Sequence, residues 1–278
     1  MSLSEYQYVN CYGMLEEIRT NLNEYTTGLV QGSEVGVYDN TDIVRKINSS
    51  QKFIFNVLFG MMPELFLTSS SVTGSSGVYT IPSDCHKMDS IFNADGIQIL
   101  PINVQMQNLT SNGSNYLYVR KGNTIVLDSG ISSAMTFNYY TTVKDLTQGM
   151  SSAGSASSLT LATTAKPIAD YYNGITLENI TDGWSTTISD YTAARVATIT
   201  GTGAASKYYG TVSQLPEVFH SLITQRATIV LKNSVVSPQR AEVGELSDFK
   251  DNLIEVIKSF AGSRNDISMD ELINDLFL

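Results

Sequence analysis

"YLYVRKGNTIVLDSGISSAMTFNYYTTVKDLT", residues 116–147, decides how the rest of the chain is read. Tyr116, Tyr118, Ile125, Leu127, Met135, Phe137 and Tyr139 follow a period of two, the repeat of strands that bury one face. "RKGN" supplies a tight connection between strands and "DSGISS" the next one. The stretch contains no histidine and no cysteine, so its work is packing and contact. Upstream, "SVTGSSGVYTIPSDCHKMDSIFNADGIQILP" (71–101) alternates in the same way between Gly, Pro, Asn and Asp punctuation, with "NADG" as a turn. The middle of the chain therefore reads as an antiparallel sheet.

Helical spacing surrounds it. Residues 5–23 place Met14, Leu15, Ile18 and Leu22 on one face, and "NTDIVRKINSSQKFIFNVLFG" does the same with Ile43, Ile47, Ile54 and Leu58. Asn40 or Thr41 offers the N-cap of this second helix, and Gly60 with Pro63 ends it. After residue 213, Pro216 opens a third helix with Phe219, Leu222, Ile223, Ala227 and Val230 aligned. A fourth aligns Val243, Leu246, Phe249, Leu253, Ile257 and Phe260. The expected fold is α+β: a bundle of N- and C-terminal helices with a central antiparallel β-sheet excursion.

Residues 151–213 stand apart, with 21 Ser or Thr and seven charged residues in 63 positions. Ile175, Leu177, Ile180, Ile188, Val196 and Ile199 still give the segment a face to bury, which argues for an inserted small β-module rather than disorder. Composition thus divides the chain into 1–150 (N-terminal helices and β-rich part), the module 151–213, the C-terminal helices 214–262 and a tail 263–278.

Charge and chemistry exclude much. Seventeen basic against 27 acidic residues give a net charge of −10, and no run of lysines or arginines offers a phosphate-binding surface. Cys11 and Cys85, far apart and outside any CxxC, read as reduced cytosolic thiols. No apolar run is long enough to span a bilayer. The two histidines lie 134 positions apart, and no HExxH, GxSxG or phosphate-binding loop occurs. Asp84, Cys85 and His86 have the residue types of a cysteine hydrolase, but neighbours on a strand point to opposite faces. Glu242, Glu245, Asp248, Asp251 and Glu255 read as the solvated face of the fourth helix, because a hard-cation site needs oxygens converging on one point. No catalytic residue, cofactor or metal is expected.

Trp184 with Tyr171, Tyr172 and Tyr191 has two readings: a carbohydrate-stacking patch on a recognition protein, or the aromatic core of the module. Fifteen tyrosines against ten phenylalanines are a composition that interfaces favour.

The order of parts carries a resemblance. "DIVRKINSSQKFIFNVLFGMMPELF", "YTIPSDCHKMDSIF", "NTIVLDSGISSAMTFNYYTTVKDLT" and "LPEVFHSLITQRATIVL" resemble the head-to-tail adaptor proteins of tailed bacteriophages, including connector rings and the tail tubular protein A type. It covers most of residues 40–147 and 214–260, with Tyr79, Ile81, Pro82, Asp84 and Phe137, Tyr139, Tyr140 as framework. The resemblance implies a homo-oligomeric ring of about twelve copies in the virion neck. Such a ring is assembled in the host cytoplasm, joined to the portal protein and a downstream tail or nozzle protein, and lets DNA pass without specific binding.

The tail "GSRNDISMDELINDLFL" (262–278) reads as a helix opened by a Ser268/Glu271 capping box. Met269, Leu272, Ile273, Leu276 and Phe277 share one face, which docks on a neighbouring ring, the portal first among them, or packs back on its own bundle.

Overall fold

The computed structural model describes residues 10–22, 38–102, 117–127, 133–234 and 243–261. Four helices are present: α1 Cys11–Asn21, α2 Asn40–Met61, α3 His220–Lys232 and α4 Val243–Ala261. The expected apolar faces are the buried ones. Met14, Leu15, Ile18 and Leu22 of the first helix are covered, as are Ile43, Ile47, Ile54 and Leu58 of the second. In α4 Phe249, Leu253 and Ile257 are buried, while Leu246 and Phe260 remain partly in solvent.

The helix starts differ from the expected caps for local reasons. Asn10, in extended conformation, accepts from the Gly13 amide at 2.9 Å and so begins α1 later than residue 5. For α2 the cap is Asp39, whose carboxylate accepts from the Asp42 amide at 2.6 Å, one position before the expected Asn40. Asn40 is instead taken by Arg19, which also donates to the Tyr38 carbonyl.

Packing divides the chain into two compact units, and at different places from composition: Leu58–Thr142, and Met1–Val57 with Val143–Leu278. The 58–142 unit is a sheet of seven strands, β1 Leu67–Val72, β2 Val78–Thr80, β3 Cys85–Phe92, β4 Gln98–Pro101, β5 Leu117–Lys121, β6 Thr124–Val126 and β7 Met135–Thr141. Their order is β1-β7-β3-β4-β5-β6-β2. Tyr79, Ile81, Ile91, Ile99, Ile125, Leu127, Met135, Phe137 and Tyr139 form its core, the alternation read from the sequence. Two irregularities in register bend β3 against β7. One pairing departs from the antiparallel expectation: β4 and β5 run parallel, which the long connection of residues 102–116 permits.

The other unit holds the helices together with eight short strands: β8 Gln148–Met150, β9 Ala153–Ser155, β10 Ser158–Thr160, β11 Thr176–Asn179, β12 Trp184–Thr187, β13 Asp190–Tyr191, β14 Val196–Thr198 and β15 Tyr208–Thr211. They make two four-stranded sheets, β13-β14-β10-β9 and β12-β11-β15-β8. One core serves both, built from Leu159, Leu177, Ile188, Tyr191, Ala197, Tyr209 and their neighbours. The expected inward position Val196 is only partly covered, and Ala197 is buried in its place. Val196 and Ile199 are three apart and cannot share a strand face, so β14 follows the parity of Ile199 despite the smaller side chain.

Helix α1 packs on α3 and also on β15, and α3 packs on α4. The junction of α1 with the module is close. A Cβ on Gly210 would stand 2.7 Å from the Asn10 side-chain oxygen and 2.8 Å from the Tyr12 nitrogen. Asn10 also donates to Glu178 on β11 at 2.5 Å and bridges to Val212. Glycine here lets a helix terminus rest on a strand backbone. Gly210→Ala is expected to destabilise the protein by about 1–3 kcal/mol, the usual effect of overpacking. Thermal unfolding measures it; a melting temperature equal to that of the wild type would show that α1 is not held this closely.

Candidate interaction surfaces

The residues with the types of a nucleophile and base are not brought together. Cys85 is half-buried on β3 and burial raises its thiol pKa, so thiolate is disfavoured. His86 is exposed and its ring stands edge-on to Phe59 at 4.8 Å. Asp84 instead accepts from the Tyr139 hydroxyl at 3.2 Å. Cys11 is fully buried, and burial pushes its thiol further from ionisation. Among the described residues no group of three His, Cys, Asp or Glu converges on a metal position.

The aromatic set of the module is brought together, but as a core. Tyr172 contacts both Tyr171 and Tyr191 edge-to-face with centroids 4.9 Å apart. Tyr172 and Tyr191 are each 1% exposed, and a sugar needs an open ring face to stack on. Trp184 packs against the same cluster. Tyr171 turns its hydroxyl to the Asp145 amide at 2.9 Å and to Lys166. The tail residues Met269, Leu272, Ile273, Leu276 and Phe277 lie outside the described residues.

The last residues of the 116–147 stretch, which show no alternation, are a meeting point of distant side chains. Segment 143–147 has no regular structure, yet side chains from distant positions occupy its backbone. Asn48 of α2 accepts from the Leu146 amide at 2.6 Å and donates to the Leu146 carbonyl at 3.0 Å. Gln51 donates to the Lys144 carbonyl at 2.9 Å. Lys52 reaches the Asp145 carboxylate at 2.5 Å, and Lys166 of the module takes its other oxygen. Burial would raise the Asp145 pKa, but hydrogen bonds and charge from Lys166 and Lys52 outweigh it and hold the carboxyl below its usual range.

Two exposed features are complementary in charge. A groove of about 580 Å³ lies between α1, α3 and α4. Leu222, Ile229 and Val256 line it together with Glu17, Asp248 and Glu255. Glu245 also borders it and receives Lys232 at 2.7 Å. Burial pushes the Glu17 carboxyl up to about 7, against a hydrogen bond with Thr224 that lowers it. On the 58–142 unit, the β5–β6 hairpin turns at Gly122, whose φ of +59° suits glycine, with Arg120, Lys121 and Asn123 exposed around it. Neither cation has a carboxylate partner among the described residues. The same unit carries an aromatic patch in which Tyr140 and His86 meet Phe59 edge-on, with Leu65 and Leu67 exposed as well. Partly exposed aromatics of this kind are common at protein–protein contacts.

A family model described as SU10 adaptor protein matches residues 9–176. No curated protein matches the chain. The match begins at the cap of α1 and runs through α2, the seven-stranded sheet, the 143–147 segment and the first strands of the module to the start of β11.

Asp145→Asn is expected to lower stability by about 1.5–3 kcal/mol at pH 7, the range for hydrogen bonds to charged groups. Because the folded carboxyl titrates below its unfolded value, its contribution is present above that value and disappears as pH falls through the folded pKa. Denaturant titrations of both proteins should therefore converge on acidification; a difference that stays unchanged as pH falls through and below the ordinary carboxylate range would contradict the ion-pair account.

Proposed function

The chain belongs to the SU10 adaptor protein family, and from that premise we propose how it works: as a structural ring that joins head to tail and forms part of the DNA conduit. The observation that carries this reading is the family match over residues 9–176. The protein is a structural adaptor, not an enzyme, and its function is geometric.

The finer reading is a closed ring of about twelve copies, seated between the portal and a downstream tail or nozzle protein in the virion neck, and assembled in the host cytoplasm. A cyclic ring needs a heterologous interface, one surface of each subunit meeting a different surface of the next. The chain offers chemically distinct surfaces for it: an aromatic patch and a basic hairpin on the 58–142 unit, and a groove with acidic walls on the other. A net charge of −10 suits a conduit, since a basic wall would hold phosphates through counterion release while an acidic balance lets DNA slide. Negative-stain images of the purified chain with portal-containing heads are expected to show closed rings with a central hole. Failure to form any cyclic assembly on the portal would sink the reading.

Residues 263–278 are proposed as the docking arm, with Met269, Leu272, Ile273, Leu276 and Phe277 as its apolar face and the portal as its target. Burying five such side chains contributes about 1.5–3 kcal/mol each. Ordering each backbone residue costs about 1–2 kcal/mol, so a single arm binds weakly. Many arms engaging together around a ring raise the effective concentration and hold the joint. Deleting 264–278 should leave a folded, soluble subunit that no longer joins portal-containing heads. Normal joining by the truncated protein, measured by co-sedimentation with heads, would return the arm to its own bundle.

A further inference from the structure

We propose that the groove between α1, α3 and α4 receives the β5–β6 hairpin tip, Arg120, Lys121, Gly122 and Asn123, of the adjacent subunit; this rests on the ring reading above. The groove has an apolar floor in Leu222, Ile229 and Val256 and a rim in Glu17, Asp248 and Glu255. Its one cation, Lys232, is already engaged by Glu245. An occupant must therefore bring positive charge on a narrow element whose stems can lie on the floor. Lysine and arginine have that form, an aliphatic stem with a charged head.

The chain itself supplies few candidates. Among the described cations Arg45, Lys52, Lys166, Lys207 and Lys232 are in ion pairs. Arg19, Arg195 and Arg226 are committed to hydrogen bonds within their own unit. Lys144 donates to the Asn173 carbonyl, Lys250 and Lys258 lie on α4 itself, and Lys46 and Lys87 stand singly on α2 and β3. Arg120 and Lys121 are the adjacent pair, exposed beside the β5–β6 turn, with Arg120 also donating to the Gly122 carbonyl at 3.3 Å. The hairpin is short, with two residues between β5 and β6, and its two cations close β5 as neighbours on a strand, so they point to opposite faces of a narrow tip and would meet carboxylates on different walls of the groove. An arginine fork pairs two-pronged with a carboxylate, and a lysine serves the next one as a point charge.

Electrostatics favours this pairing. Copies of a chain at −10 repel one another, so association requires local complementarity strong enough to set register. The hairpin and the groove are different surfaces of the chain, as the two halves of a heterologous contact must be. The chain's own tail is a poor occupant: after α4 it carries Asp266, Asp270, Glu271 and Asp275 against Arg264 alone.

The test is a charge swap in the full-length protein. Arg120→Glu with Lys121→Glu makes the hairpin acidic, and Asp248→Lys with Glu255→Lys makes the groove basic. All four positions are exposed, and circular dichroism checks that each variant folds. Ring formation on portal-containing heads is measured by quantitative negative stain at low and high salt. Each double variant alone is expected to lose about tenfold or more of ring formation, and the quadruple variant to recover most of it. Wild-type assembly should also weaken as salt rises, since exposed pairs are screened within about 10 Å at 0.1 M. Full assembly by either double variant, or no recovery in the quadruple one, overturns the proposal while leaving the ring intact. Normal rings from the hairpin variant with altered retention of duplex DNA would reassign the hairpin to the nucleic acid and overturn it equally. Absence of rings from the wild type would instead remove the ring reading from which this contact derives.

Discussion

Segment 143–147 has no secondary structure to satisfy its backbone, and the larger unit is organised around solving that problem. Amides from residues 144 to 147 each find a side-chain acceptor far away in sequence: Gln214, the Tyr171 hydroxyl, Asn48 and the Thr211 hydroxyl. Carbonyls of Lys144, Leu146 and Thr147 are met by Gln51, Asn48 and the Thr211 amide. A buried backbone group without a partner costs as much as a lost hydrogen bond, so this coil is ordered only when α2, the module and the return strand β15 are all in place. The chain thereby couples parts that composition alone separates. Residues 151–213 differ in composition from the helices but share this joint with them, through Lys166 and Tyr171 on one side and Asn48, Gln51 and Lys52 on the other.

The same logic governs the tyrosines. Fifteen of them read as an interface signal in the sequence, yet several are engaged internally, with the ring buried and the hydroxyl on a backbone group. Tyr209 accepts from the Ala162 amide, Tyr191 donates to the Lys166 carbonyl, Tyr79 to the Ser133 carbonyl and Tyr38 to the Leu231 carbonyl. A module of short strands and long turns has many loop groups that no ladder reaches. Tyrosine covers apolar area and reaches those groups with one side chain, and this is why phenylalanine would not serve.

What was legible follows from periodicity. Ile43, Ile47, Ile54 and Leu58 follow one another at intervals of four or seven residues, and Phe137 and Tyr139 of two, so their shared faces can be read without knowing the partner. The errors fall where a choice depends on distant residues. Asp39 rather than Asn40 caps α2 because Asn40 is taken by Arg19 from another helix. The parallel β4–β5 pairing joins strands whose relative direction no local pattern encodes. The joint at 143–147 is invisible for the same reason: "VKDLT" shows no alternation, and its partners lie up to 98 residues away. A lone aspartate between two lysine-bearing segments carries no signal until the fold brings Lys52 and Lys166 to it. For the surfaces, charge counting gave the sign of the molecule but not where its few cations remain unmatched.

The nesting of one unit inside the other also sets an order of events during synthesis. Leu58–Thr142 is continuous in sequence, so its sheet can close as soon as its last strand leaves the ribosome. The surrounding unit is interrupted, and α1 must wait for α3 and β15, some two hundred residues later, before Met14, Leu15 and Ile18 are covered. At about 5–20 residues per second that interval lasts roughly 10 to 40 s. Throughout it the nascent chain holds a finished sheet at its centre and two uncovered amphipathic helices upstream. Its hazard is therefore sticking to other nascent chains on the same message, and proximity of identical chains on a polysome makes that hazard greatest where the subunit is made in the copy numbers a ring demands.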